Sequence, residues 1–193
     1  MSEYRLIELP YEYDALTPHI SEQVMEWHHD VHNQGYVDGA NDAEEKLEQQ
    51  RESNDFSSTG SILNSFTHNF CGNVLHQIFW HNMSPEGGGK PEGELMQKIE
   101  EDFGSYNNWK KEFKAAASLV YIPRENELHN VAVDRHDEGA VWGAHPILAV
   151  DVWEHSYYHD YGPERGDFID NFFQLIDWND VQNRYSEVSG AFS

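Results

Sequence analysis

Imidazoles and carboxylates are unevenly distributed along this chain. Five residues, Asp151-Val152-Trp153-Glu154-His155, hold two carboxylates, an indole and an imidazole. The apolar run Pro146-Ile147-Leu148-Ala149-Val150 leads into them. A buried strand ending at Asp151, with His155 four residues on, would aim two ligands at one point. His28, His32 and Tyr36 recur at i, i+4 and i+8, which places them on one helix face. His76 sits in an apolar helical stretch with Phe66, Phe70 and Trp80 around it.

Each of these residues has a plainer reading when taken singly. An imidazole in an apolar helix is ordinarily a hydrogen-bonded core residue. His28 and His32 also fit a helix-surface pair, Asp151 and His155 a local hydrogen bond, and Glu154 a solvated carboxylate. His29 is expected on a solvated face. Together the groups point further. Three imidazoles and one carboxylate leave an open position on iron, manganese or zinc, and they lack the thiolates of a structural zinc site. Other chemistries find no support. Neither H-E-x-x-H nor H-x-x-E-H occurs, and there is no paired Ser/His/Asp signature. Gly87-Gly88-Gly89-Lys90 lacks the spacing of a phosphate loop and sits in a Pro-flanked linker.

The elements that must position these groups follow from periodicity and punctuation. Residues 6–11 read as an extended arm. Ser21 is the expected cap of a helix running to about residue 37, with Glu22 in its first turn. A Glu-rich continuation over 41–52 is helix-compatible and expected to be solvated on most sides. A second long helix is predicted from residue 59 to 81, with Ile62, Phe66, Phe70, Val74 and Ile78 on its apolar face. Ser84-Pro85-Glu86-Gly87-Gly88-Gly89-Lys90-Pro91 is the clearest linker. Beyond it come helices over 95–103 and 109–118, strands over 119–122, 128–133 and 147–151, and helices from Trp153 onward, one of them over 165–176. The fold class is therefore α+β. An N-terminal antiparallel helical hairpin, residues 1–88, precedes a C-terminal domain, residues 89–193, with a small, about three-stranded antiparallel sheet flanked by helices.

Charge narrows the class of partner. Against 35 Asp and Glu stand 12 Lys and Arg, a formal net charge of −23. Disordered acidic chains are poor in aromatics, yet aromatics make up 13% here, so an acidic surface on a folded protein is the better reading. Such a surface suits concentrated salt and disfavours nucleic acid and anionic membranes as partners. One cysteine, Cys71, excludes an internal disulfide and fits a reducing cytoplasm. No basic-then-apolar leader and no membrane-spanning run are expected.

The residues resemble the iron/manganese superoxide dismutase family over nearly the whole chain. The resemblance rests on Leu9-Pro10-Tyr11, Trp27-His28-His29-Asp30-Val31-His32 through Tyr36-Val37, His76-Gln77-Ile78-Phe79-Trp80, Asp151-Val152-Trp153-Glu154-His155 with Tyr157-Tyr158, and Asp177-Trp178. The acidic surface is similar to that of members from salt-loving archaea. The resemblance implies disproportionation of superoxide to dioxygen and hydrogen peroxide by one manganese, alternatively iron, per subunit. The ion would be held by His28, His76, Asp151 and His155, with a solvent molecule as fifth ligand. His32 and Tyr36 would form the gateway and proton path, Trp80 and Trp153 the cavity walls, and His136 a hydrogen-bond partner of the bound solvent. Gly72 replaces a Gln that iron-type members often carry, which with His136 leans towards manganese. Glu154 would reach the partner subunit's His155, and Tyr158 the partner subunit's His32, in a homodimer or homotetramer.

Three departures from the family pattern stand out. Asn33 and Asn73 replace outer histidines, with only slight effects expected. Ala115-Ala116-Ala117-Ser118 runs directly into Leu119-Val120-Tyr121. This shortens the family pattern by about six or seven residues, roughly two helical turns at about 1.5 Å per residue. A second reading follows from that junction: a metal-binding relative with impaired catalysis.

Overall fold

The computed structural model describes residues 3–132, 135, 137 and 141–192, so His136 lies outside the described residues. The first long helix is capped as its sequence indicates, with the Ser21 hydroxyl accepting the Val24 N–H at 3.3 Å. It runs through α1 (Glu22–Glu26), a π-helical segment (Trp27–Asn33) and α2 (Gln34–Ser53) without a break. Asn54 ends it in the left-handed region at φ 52°, as short polar residues tolerate. The chain then reverses into α3 (Thr59–His81). Gln50 pins this reversal, donating to the Ser58 hydroxyl and accepting from the Thr59 hydroxyl, both at 2.7 Å. The Glu-rich stretch over 41–52 is solvated on most sides, as expected, with a buried seam along one face. Ala40, Ala43, Leu47 and Gln50 are buried, because the antiparallel pairing of α2 and α3 needs an apolar seam that four small or long side chains can supply.

After α4 (Gly93–Phe103) and α5 (Tyr106–Ala116) come β1 (Ala117–Ile122), β2 (Glu127–Ala132) and β3 (His145–Ala149). They form an antiparallel sheet in the order β2-β1-β3, with β1 central and buried along its length. The helices α6 (Glu154–Tyr161), α7 (Arg165–Phe172) and α8 (Trp178–Ala191) close the C-terminal part. One apolar core joins both parts, with Leu16, Trp80, Ile99, Trp109, Phe113, Leu119, Ile147 and Phe172 excluded from solvent. The α+β expectation holds, with shifts of a few residues in element ends. The third strand stops at Ala149, leaving Asp151 two residues beyond it, and the strand expected from Leu119 begins at Ala117.

Two local devices set the position of the C-terminal site residues. Asn82, just past α3, is fully buried, and its side chain exchanges two hydrogen bonds with the Ala149 backbone at 3.1 and 3.2 Å. That amide acts as a short extra strand, fixing the end of α3 against the end of β3. Beside it, where the Ala117 carbonyl accepts the Val150 N–H at 3.0 Å, Ala117 serves both as the C-cap of α5 and as the first residue of β1. Its φ of 70° reverses the chain with no intervening loop.

Candidate metal centre

His28 comes from the π-helical segment, His76 from α3, Asp151 from the stretch between β3 and α6, and His155 from the first turn of α6. Their ligand-capable atoms all lie within 4.8 Å of one another. His28 Nε2 is 3.0 Å from His76 Nε2 and 3.2 Å from Asp151 Oδ2. Asp151 Oδ2 is 3.5 Å from His76 Nε2 and 3.3 Å from His155 Nε2.

Atoms held about 2.0–2.2 Å from a first-row ion, at angles near 90–110°, stand about 3.0–3.5 Å apart, so these spacings are those of a coordination shell. The hydrogen-bonding pattern agrees. His76 Nδ1 donates to the Gly72 carbonyl at 2.6 Å, which leaves its Nε2 as a lone pair facing the centre. The His155 Nε2 is shielded from solvent, has no hydrogen-bond partner among the described residues and stands 3.3 Å from Asp151 Oδ2. Trp153 N–H donates to Asp151 Oδ1 at 2.9 Å, turning Oδ2 inwards. The residues present fit a metal ion.

Protonation states support the same fit. Burial lowers the His28 pKa despite Asp151 beside it, and burial with the neighbouring His28 charge lowers that of His76 to about 4. Both are therefore neutral at ordinary pH, as a histidine must be to ligate a metal. Burial alone would raise the Asp151 pKa, but the His155 imidazole beside it, the hydrogen bond with His28 and the nearby His76 hold it well below the usual carboxylate range.

The π-helical segment was not legible in the residue pattern. Gln34 N–H reaches the His29 carbonyl five residues back, a wider turn than that of an α-helix. It brings His28 inwards while Asn33, five residues on, is also buried. Asn33 Nδ2 donates to Asn73 Oδ1 at 3.0 Å, and Trp80 Nε1 donates to Asn33 Oδ1 at 2.9 Å. The two asparagines thus bridge the ligand-bearing helices and orient the Trp80 indole, whose ring lies edge-on to His28 at 4.8 Å. His29 corrects the expectation of a solvated face. It is buried under the N-terminal arm, with Nε2 2.8 Å from the Ile7 carbonyl, because the arm's backbone needs a partner there.

The remaining candidates divide by depth. Tyr36 lies 5.1 Å from the His76 ring, and burial and the charges of Asp151 and Asp137 push its pKa up to about 12. Gly72 faces it: a Cβ there would stand 2.8 Å from the Tyr36 ring. His32 stacks on His155 at 4.1 Å. Trp153, 37% exposed, stands 5.9 Å from His155. Glu154 and Tyr158 point outward, sharing a surface groove with Trp27, Val31, His32 and His155. A cavity of about 230 Å³ reaches His76, Asp151 and Tyr36, bordered by Ala115 to Ser118 and, at its rim, by Arg165. Arg165 carried no motif. Only the tertiary structure gives the cavity a cation.

A helical hairpin, a small antiparallel sheet and a His-His-Asp-His cluster between them define a metal-dependent oxidoreductase of one family. Residues 3–84 match the alpha-hairpin domain of iron/manganese superoxide dismutases, and residues 91–184 match their C-terminal domain. The chain belongs to the iron/manganese superoxide dismutase family. It is 58% identical over 199 residues to superoxide dismutase [Mn] 1 of Haloferax volcanii, and equally over 199 residues to superoxide dismutase [Mn] 1 of Halobacterium salinarum. With superoxide dismutase [Mn] of Haloarcula marismortui it shares 58% over 202 residues. All three comparisons span 100% of both chains. An alignment of 199 positions against 193 residues leaves at least six positions of the Haloferax relative without a counterpart here.

Proposed function

We propose that this chain disproportionates superoxide to dioxygen and hydrogen peroxide, using one manganese ion, alternatively iron, held by His28, His76, Asp151 and His155. The observation that carries this reading is the convergence of those four ligand atoms within 4.8 Å at the junction of both parts of the fold. The names of the relatives favour manganese. When bound, the ion would alternate between the +3 and +2 states, accepting an electron from one superoxide and returning it to the next.

The protein's own part is positioning, screening and proton supply. The Gly72 carbonyl fixes the tautomer of His76. Trp80 and Trp153 wall the site against bulk water. Tyr36, protonated at neutral pH, donates the proton that a reduced substrate needs, with His32 beside it. Arg165 draws the anionic substrate to the cavity rim, in a molecule whose net charge repels it. His136 is proposed as the partner of the bound solvent. Residues 1–88 and 89–193 are proposed as the two domains, in keeping with where the family matches begin and end.

The exposed side chains of Trp27, Val31 and Tyr158, with Glu154 between them and the ligand His155, support a homodimer or homotetramer joined beside the centre. The single cysteine supports a reducing, cytoplasmic compartment, and no described helix is long and apolar enough to cross a membrane.

The test is elemental analysis combined with superoxide consumption, measured in high salt on the same sample. About one manganese or iron per chain with rapid consumption is expected. Protein that retains neither metal would sink the reading. Full metal content without activity would favour the impaired alternative.

A further inference from the structure

A second group of metal-capable side chains stands at the β1–β2 hairpin, and the centre described above uses none of them. Glu125 lies in the turn, and Glu127 and His129 lie on β2. Residues 127 and 129 are two apart on a strand, so they share one face, opposite the buried Leu128. The turn itself is well held. The Glu125 N–H donates to the Ile122 carbonyl at 3.1 Å, the Asn126 N–H to the Pro123 carbonyl at 3.2 Å, and the Tyr121 hydroxyl to Asn126 Oδ1 at 2.7 Å.

One ligand-capable atom from each of the three residues lies within 4.8 Å of the others, the same limit that the four-residue centre meets. His129 Nε2 is 3.3 Å from Glu125 Oε2 and 3.3 Å from Glu127 Oε2. Two half-exposed carboxylates about an imidazole are ordinarily a solvated ion pair. A separate observation sets this cluster apart. Although 40% of the His129 side chain is exposed, its Nε2 is closed to solvent and has no hydrogen-bond partner among the described residues. His155 Nε2, in the metal centre, has the same two properties. A shielded nitrogen that faces two carboxylates and bonds neither is a polar group left unsatisfied, and a cation between the three atoms would satisfy it. Among the described residues no lysine or arginine pairs with Glu125 or Glu127, so their charge has no cationic side chain set against it.

We propose that Glu125, Glu127 and His129 form a second, peripheral site for a divalent first-row cation of the zinc type. One imidazole nitrogen and two carboxylate oxygens are donors that zinc accepts, and water would complete its coordination. The cation would tie the turn to β2, which is an edge strand of the sheet. Its exposed setting lets the ion exchange with solvent, in contrast to the buried imidazoles of His28 and His76. The site is structural in kind, since binding moves no electron, and it does not rest on the dismutase reading.

The experiment dialyses the full-length, manganese-loaded protein to equilibrium against zinc sulfate, with zinc and manganese both measured per chain. The wild type should take up about one zinc per chain while keeping its manganese. His129→Gln, and the double variant Glu125→Gln with Glu127→Gln, should each bind zinc at least about tenfold more weakly, since losing a partner outside the ligand shell already costs about that much. Zinc should raise the thermal midpoint of the wild type and leave that of His129→Gln unmoved. X-ray absorption at the zinc edge of the wild type should show a single imidazole among oxygen neighbours, a result that does not depend on how well the variants fold. Wild-type protein that takes up no zinc would overturn the site. So would equal uptake by the wild type and both variants, which is adventitious binding only, or zinc gained only as manganese is lost, which places it at the His28 centre. Superoxide consumption enters none of these measurements, so failure of the dismutase reading and failure of this site are told apart.

Discussion

Gly72 illustrates how little a single letter conveys until its neighbours are known. In the sequence it marks a missing glutamine. In the structure its carbonyl accepts the His76 Nδ1 proton, and its α-carbon leaves room for the Tyr36 ring. Gly72→Ala places a methyl 2.8 Å from that ring on a helical backbone that strains neither residue. Tyr36 must then move. The expected outcome is a loss of about 1–3 kcal/mol by denaturant unfolding and a reduced superoxide-consumption rate with metal content retained. Parental stability together with a parental rate would show that Tyr36 has room to yield. Asn33 and Asn73 carry a parallel lesson. They are neutral, buried and mutually bonded, so they tie the two ligand helices without adding charge beside three imidazoles.

The junction of α5 and β1 and the salt bridges of α4 decide how firmly the sheet is held. Ala117 occupies the left-handed region, where an L side chain costs about 1–2 kcal/mol and a β-branched one more. Ala117→Val should lower the unfolding free energy by at least about 1 kcal/mol. Ala117→Gly should stay within about 1 kcal/mol of the parent, relief of strain offsetting a lost buried methyl. Equal effects from both substitutions would mean that the backbone there is not held at positive φ.

On α4, buried Lys98 pairs with Asp102 at 2.9 Å and Glu101 at 3.3 Å, while Asp102 also accepts the Leu128 N–H of β2 at 2.7 Å. Burial would lower the Lys98 pKa, but the two carboxylates outweigh it and raise it. A lysine whose folded pKa exceeds its unfolded value contributes fully below about 10.5 and loses that contribution as pH rises through the folded value. Lys98→Met should therefore cost roughly 1–3 kcal/mol at pH 7 to 9. Thermal scans should show the gap to the parent narrowing only above pH about 11; a gap already closing at pH 8 would contradict the pairing.

At the scale of the whole molecule, a net charge of −23 on 193 residues makes self-repulsion a large term. The Debye length falls from about 10 Å at 0.1 M salt to about 3 Å at 1 M, so salt removes repulsion between surface carboxylates while leaving buried pairs such as Lys98–Asp102 largely intact. The thermal midpoint of the metal-loaded protein is expected to rise steadily between 0.1 and 3 M KCl. A midpoint that falls or stays level over that range would show that the acidic surface does not limit stability.

Helix positions, the three strands and the four candidate ligand residues that the fold brings together were legible in the sequence because each rests on local period or on residues whose chemistry is unusual where they stand. Ser21 caps its helix, residues 59–81 form the predicted helix, and Asp151 and His155 stand at a strand end and the helix start that follows. What the sequence could not determine depends on contacts between residues far apart. The π-helical turn arises because His28 and Asn33 must both face inwards, which no local period announces. His29 looks solvated until the arm at Ile7 covers it. Arg165, His68 and Asp137 become part of the site's surroundings only when α7, α3 and the segment after β2 meet around Tyr36 and the cavity. Residue chemistry marks the candidate imidazoles and carboxylates; only long-range packing brings His28, His76, Asp151 and His155 within reach of one point.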